Sequence, residues 1–373
     1  MPPITDTAPS RPVTQAVAQT RLDSLTGLRW YAALLIFCYH FAHESKYTTS
    51  AHRSEILNKI TLGGPSAVSL FFILSGFVLV WSARIGDKPG SFWRRRFARI
   101  YPSHAVTFLV AALLLVWEGK PLVSSIALGN LTLTQSWIPN RADWWFGFNG
   151  VSWSLSCEFF FYFSFPFLVP LLRRLSARGL WATLIAGNLA VILVPFLADF
   201  VEGATGWNSK YFIYMLPPVR LVEFAIGIVL ALLVKGGHWR GPGTVISFIL
   251  SGAAVFVLSL DVPYIFHWNA CTVIPYTFLI AALARNDIRG KRSLLRHPVL
   301  VYLGEVSFAF YLTHEMVIFG LNYFLAPRPL SPLAQGTLVM AISLAGAIVL
   351  HTYVEKPCVK LLTPRRRARP QPA

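Results

Sequence analysis

Charge is what this sequence has least of. Only 13% of its 373 residues are Asp, Glu, Lys or Arg, about half the share usual in soluble domains, while 55% are hydrophobic. Most of the folded surface must therefore face lipid, which excludes an ordinary soluble enzyme. Cysteine is scarce as well. Cys38, Cys157, Cys271 and Cys358 lie in or beside apolar runs. They form no CxxC pair and have no His/Cys spacing suited to zinc, so they are read as small apolar packing residues and no metal is expected. A Walker lysine motif, a Gly-rich nucleotide loop and a long internal repeat are all missing, which argues against transport driven by nucleotide hydrolysis in this chain. The first twenty residues are rich in Pro, Thr, Ala and Gln and lack an apolar stretch. Residues 1–21 are predicted to be a disordered tail without a cleavable signal peptide.

What is present is a series of apolar runs, such as Leu28 to Ala42, Val68 to Trp81 and Ala105 to Trp117. With their partly polar edges they match the ~17–25 residues of a bilayer-spanning helix. Ten spans are placed at about 25–43, 66–84, 97–117, 151–172, 180–199, 213–234, 243–260, 268–284, 299–325 and 333–353. The net charge of +17 has no soluble basic domain through which to bind nucleic acid; its distribution follows topology instead. On the side shared by both termini fall 24 of the 33 Lys and Arg, and the positive-inside rule makes that side cytoplasmic. Residues 122–137 are fairly apolar, but a span there would put Arg173, Arg174 and Arg178 outside, so this stretch is predicted to be interfacial or re-entrant. The expected fold class is all-α, a polytopic transmembrane helix bundle of the plasma membrane. Residues 22–358 would form one membrane domain. Residues 359–373 would form a basic cytoplasmic tail whose Arg365, Arg366, Arg367 and Arg369 suit lipid headgroups.

An ionisable side chain at mid-membrane costs at least ~2.5 kcal/mol, so those that remain face the bundle interior or a wet cavity and have a task there. They are Arg29, His40, Glu158, Arg220, Glu223 and His314. Arg220 and Glu223, at i and i+3, fit either a substrate site or a buried pair that fixes helix packing. Arg29 and His40 are eleven residues apart on the first span, roughly 16 Å of helix rise and close to three turns, so they share a face. With the N-terminus inside, Arg29 lies in the inner half and His40 near the outer end. Glu158 lies about 10 Å below the start of its span at Val151. That depth suggests a pair in which the carboxylate orients His40 while the other ring nitrogen removes a hydroxyl proton. On the cytoplasmic side Arg95 and Arg99 are one turn apart with Arg96 beside them. This run is either a topogenic anchor or a cluster that converges on one phosphorylated ligand such as coenzyme A.

These positions sit in segments that resemble the integral-membrane acyltransferase-3 family of O-acyltransferases, over about residues 22 to 358. Leu25-Thr26-Gly27-Leu28-Arg29 with His40 is similar to the family's Arg-x10-His signature. Phe71 to Phe77 with Ser75 and Gly76, the Arg94–Pro102 run, Trp153 to Glu158, Arg220 to Phe224 with Gly227, Gly304, Ser307 and Tyr311 to His314, and Glu355-Lys356-Pro357 follow in the family's order. The resemblance implies a ten-span bundle with acyl-coenzyme A as cytoplasmic co-substrate, no permanently bound cofactor, and an acyl group delivered to an acceptor at the outer side. It also implies that Arg29 and His40 are the essential pair and that the cytoplasmic arginines contact the donor. Many relatives carry an extracytoplasmic hydrolase-like domain. This chain ends about 20 residues beyond its last span, so the acceptor is expected to come to the membrane cavity itself. Ser24 to Arg29 looks like the branch acting on glycosylated macrolides.

The expected mechanism has Arg95, Arg96 and Arg99 on the coenzyme A phosphates, Arg29 along the donor and His40 as general base oriented by Glu158. Tyr311 or Ser154 is the expected donor to the oxyanion. Ser75, Arg220, Glu223 and His314 complete the predicted substrate contacts, and Asn149 with Trp144 and Trp145 could receive a sugar. The acceptor would be a hydroxyl on a glycan, glycolipid or glycosylated metabolite. Two rivals stand beside this reading. One is a secondary transporter or exporter of a polar or anionic metabolite, using Arg29, Glu158 and Arg220. The other is a non-catalytic membrane scaffold, which would leave the buried ionisable groups without a task.

Overall fold

The computed structural model describes residues 21–44, 59, 61–83, 86–260, 262–325 and 330–363. The predicted N-terminal tail and the arginine-rich residues 364–373 fall almost wholly outside them. Among the described residues the fold is all-helical, without a strand. In chain order the helices are α1 (Asp23–Glu44), α2 (Gly64–Ser82), α3 (Pro89–Trp117), α4 (Ser124–Leu131), α5 (Trp153–Leu172), α6 (Ala177–Leu193) and α7 (Ala198–Thr205). They continue with α8 (Pro217–Lys235), α9 (Thr244–Val257), α10 (Val273–Ile288), α11 (Pro298–Phe324), α12 (Pro332–Leu350) and α13 (Lys356–Leu362). Punctuation in the sequence sets several ends. Proline stands in the first turn of α2, α3, α8, α11 and α12, where its missing N–H costs nothing. Ser176 and Ser331 cap α6 and α12 by accepting from the amides of Gly179 and Ala334.

Among the described residues, six helical segments are long and apolar enough to cross a membrane: Gly64–Ser82, Pro89–Trp117, Gly150–Leu172, Ala177–Thr205, Pro217–Lys235 and Pro332–Leu362. The chain is therefore a multi-pass membrane protein. Helices α1, α9, α10 and α11 occupy the other four predicted ranges; α9 and α10 have 14 and 16 residues, and α1 and α11 carry Arg29, His40 and His314. Leu113, Phe163, Phe167 and Ile246 point outward, as a lipid-facing surface requires. The centre is formed by α2 and α8, whose apolar windows are 83% and 67% buried, against 28% for α3. Helix α2 packs on α8, and α1 on α11.

Glycine makes these two contacts close. A Cβ on Gly76 would meet the Phe224 carbonyl, one on Gly227 the Ile73 carbonyl, and one on Gly304 the Thr26 carbonyl, all backbone atoms that cannot turn aside. These glycines serve helix approach rather than room for an acyl chain. Gly76→Val is expected to lower stability by about 1–3 kcal/mol or more through overpacking. A drop in the melting temperature of detergent-purified protein would register it, and an unchanged melt would show that α2 and α8 can separate freely.

The 122–137 stretch does not span. Helix α4 has eight residues, far short of the ~20 required. The chain then runs through short turns to Ser152 with its polar groups held inside protein. Asn130 donates to the carbonyls of Ile126 and Trp144, both at 3.0 Å, Gln135 to Ser152 Oγ at 3.2 Å, and Ser136 to the Trp153 carbonyl at 2.9 Å. Irregular backbone at membrane depth is stable only when satisfied in this way.

Candidate active site

The segment that precedes α5 sets the depth of the site. Asn149 donates to the Leu312 carbonyl at 2.9 Å, and the Tyr311 hydroxyl donates to the Val151 carbonyl at 3.0 Å. Val151 is thereby pinned at the level of Tyr311 and Leu312, within one turn of His314 on α11. Glu158, seven residues further along, lies about 10 Å deeper by helix rise. The predicted pair of His40 with Glu158 is therefore not made. Glu158 accepts instead from Ser75 Oγ at 3.1 Å and from the Tyr162 hydroxyl at 2.9 Å. It lies within electrostatic reach of Arg29 and Arg96.

His40 has a different partner. Its Nδ1 lies 2.8 Å from His314 Nε2, and the two rings are near parallel, at 8° and 5.1 Å between centroids. The network assigns the tautomers. His314 Nδ1 faces the Phe310 carbonyl at 3.2 Å, and a carbonyl only accepts, so the proton of His314 is on Nδ1 and its Nε2 is bare. His40 must then donate from Nδ1, which leaves His40 Nε2 with the free lone pair a general base needs. His314 thus does the orienting expected of Glu158. His314→Ala, which leaves His40 free to change tautomer, is expected to lower kcat by about 10–100-fold with little change in the donor KM. Steady-state kinetics over a pH series would check it; an unchanged kcat would remove His314 from the relay.

Below this pair lies a small cavity of about 70 Å³ lined by Arg29, Phe71, Ser154, Glu158, Ser307 and Tyr311 among others. Arg29 makes no ion pair or hydrogen bond with another described residue, yet it senses the charges of Arg99, Glu355 and Glu158. Its guanidinium is therefore available to a ligand. Tyr311 and Ser154 are not free in the same way: their hydroxyls lie 2.9 Å apart and both reach the Val151 carbonyl, at 3.0 and 3.1 Å. Their hydrogens serve this local network.

Near the N-terminal end of α3 the three arginines differ. Arg95 is paired with Asp87 and Arg99 with Glu355. Glu355 also meets His351 at 3.1 Å in a π-helical turn at the end of α12. Arg96 has no carboxylate partner; it lies over the Phe92 ring at 5.9 Å and within reach of Arg95, Arg99 and Glu158. The cluster predicted from spacing exists, but two of its members are neutralised by separate carboxylates that the sequence did not single out for them.

Arg220, Glu223, Asn149 and Trp145 all have partners within the bundle. Arg220 and Glu223 are fully enclosed and paired at 3.1 Å. Arg220 also donates to Ser69 Oγ at 3.1 Å and lies between the rings of Phe72 and Tyr214, at 5.0 and 5.2 Å. They fasten α8 to α2. Asn149 is 1% exposed, and its amide nitrogen ties the re-entrant segment to α11. Trp145 is likewise buried, stacked on Tyr211 at 5.7 Å.

The family model described as an acyltransferase domain matches residues 22–352. The chain is similar to Acyltransferase MdmB of Streptomyces mycarofaciens, with 46% identity over 369 residues, 93% of this chain and 94% of that relative. It is also similar to O-acetyltransferase OatA of Staphylococcus aureus (strain NCTC 8325 / PS 47), with 25% identity over 370 residues, 91% of this chain and 57% of that relative. The chain thus spans little more than half the length of the staphylococcal protein. No solved structure matches it. A multi-pass helical bundle with Arg29 and His40 at two depths of one helix, matched over residues 22–352 by this family model, places the chain in the acyltransferase-3 family of membrane acyltransferases.

Proposed function

We propose that this chain is an O-acyltransferase that moves an acyl group from cytoplasmic acyl-coenzyme A to a hydroxyl of a glycosylated acceptor at the outer side of the plasma membrane. The acceptor is a macrolide-like metabolite, a glycolipid or a polysaccharide. The observation that carries this reading is the bare Nε2 of His40, fixed by His314, at the end of a row that begins at the arginines of α3 and passes Arg29. A bundle of ten spans with both termini cytoplasmic puts that row across the membrane in the required direction. The O-acetyltransferase name of a relative agrees with a hydroxyl acceptor, and the Ser24 to Arg29 opening favours the macrolide branch.

In this mechanism Arg96, with Arg95 and Arg99 beside it, holds the phosphates of the donor. Arg29 lies roughly 16 Å from His40 by helix rise, too far for both to act on one carbonyl, so Arg29 grips the donor part-way along its length. His40 Nε2 takes the proton of the acceptor hydroxyl as its oxygen attacks the thioester carbonyl. The tetrahedral intermediate collapses with cleavage of the C–S bond, and the departing thiolate takes the proton from His40.

Transfer of radiolabel from acetyl-, propionyl- and longer acyl-coenzyme A to sugar-linked hydroxyl acceptors, by purified protein in nanodiscs, tests the reading. Labelled ester formed with equimolar free thiol is the expected result. Movement of unmodified acceptor across vesicles without any donor would support the transporter instead.

A further inference from the structure

Glu44, the last residue of α1, and Glu315, next to His314 on α11, bring carboxylate oxygens to within 4.8 Å of each other and of a His40 ring nitrogen. Neither was among the ionisable groups singled out in the sequence. Glu315 is 5% exposed, and among the described residues its Oε2 has no hydrogen-bond partner. Glu44 Oε2 is buried and unpartnered in the same way. The re-entrant segment passes the pair at Gly150, where a Cβ would lie 2.6 and 2.7 Å from the two Glu315 oxygens; only glycine keeps that side open. His40 lies against the pair, Lys210 and Tyr39 are within electrostatic reach of Glu44, and Tyr311 is within reach of Glu315. The Lys210 ammonium sits 4.6 Å over the Phe146 ring and pairs with neither carboxylate.

Two carboxylates this close and this dry repel unless a proton or a cation lies between them. We propose that Glu44 and Glu315 form a cation-binding subsite beside His40, filled by a protonated amine on the acceptor or by a divalent metal ion. The inference rests on His40 as the centre of transfer. An ammonium would donate to the two unpartnered oxygens and leave His40 Nε2 to a neighbouring hydroxyl, which makes an amine-bearing sugar the preferred acceptor class. A divalent ion would take His40 as its third ligand and so remove it from base chemistry.

Binding without turnover tests this. Protein in nanodiscs is titrated with methyl glucosaminide, methyl glucoside and Mn²⁺, for wild type, Glu315→Gln and Glu44→Gln; the amides keep the side-chain volume, and a wild-type melting temperature shows that each variant is folded. Expected is a preference for the amine over the neutral sugar of about tenfold or more, the equivalent of ~1.4 kcal/mol, lost in both variants. Stoichiometric Mn²⁺ in wild type alone would also support the subsite and identify its occupant as metal. Equal binding of the two sugars without stoichiometric Mn²⁺, or binding unchanged by both substitutions, would overturn the proposal. A cation bound here by a protein that transfers no label would leave the subsite standing and sink the acyltransferase mechanism instead.

Discussion

His40→Ala is expected to lower kcat/KM for acyl transfer by about a hundred- to ten-thousand-fold, the usual worth of a positioned general base, while acyl-coenzyme A still binds. The two effects separate because the proposed donor contacts begin roughly 16 Å away along α1, at Arg29 and the α3 arginines. The comparison with His314→Ala sharpens the test. Loss of the orienting partner should cost less than loss of the base, since an unrestrained His40 still exposes Nε2 part of the time. Donor binding measured by calorimetry alongside initial rates would check both substitutions. A His40→Ala protein with near wild-type turnover would rule out base catalysis by this residue.

The second large effect is on stability. Arg220→Met is expected to destabilise the bundle by about 3–5 kcal/mol, because it leaves the Glu223 carboxylate charged and unpaired in the interior. Glu223 is 0% exposed, so no water compensates it. The double change to Arg220→Met with Glu223→Gln should recover much of the loss, as removing both charges removes the desolvation cost. Unfolding followed in mixed micelles would show the difference between the single and double variants. Equal stability of Arg220→Met and wild type would mean that the pair does not hold α8 to α2.

The same pair illustrates what the sequence could disclose. Spacing at i and i+3 made Arg220 and Glu223 partners, but it offered no way to choose between packing and substrate binding. That choice depended on Ser69, Phe72 and Tyr214 from other helices closing around the guanidinium. The helices themselves were legible because apolar runs broken by charge, proline and serine caps are local signals. Arg29 and His40 were legible because both lie on one helix. The His40–Glu158 pairing failed because depth was counted from Val151 as though it lay at the membrane surface, whereas the re-entrant segment carries Val151 down to Tyr311. His314 was expected at the substrate, and its contact with His40 was not legible because it joins α1 and α11 across 274 residues. Glu315 had only its adjacency to His314 to mark it, and Glu44 only its place one turn beyond His40.

The central claim, direct transfer with His40 as base, is tested most directly by a rapid-quench single turnover of labelled acetyl-coenzyme A in nanodiscs with a hydroxyl acceptor. The account predicts that ester and free thiol appear at one rate, that no label becomes attached to the protein, and that His40→Ala forms neither product while retaining bound donor. Label that accumulates on the protein before the ester, or ester formed equally fast without His40, would contradict it.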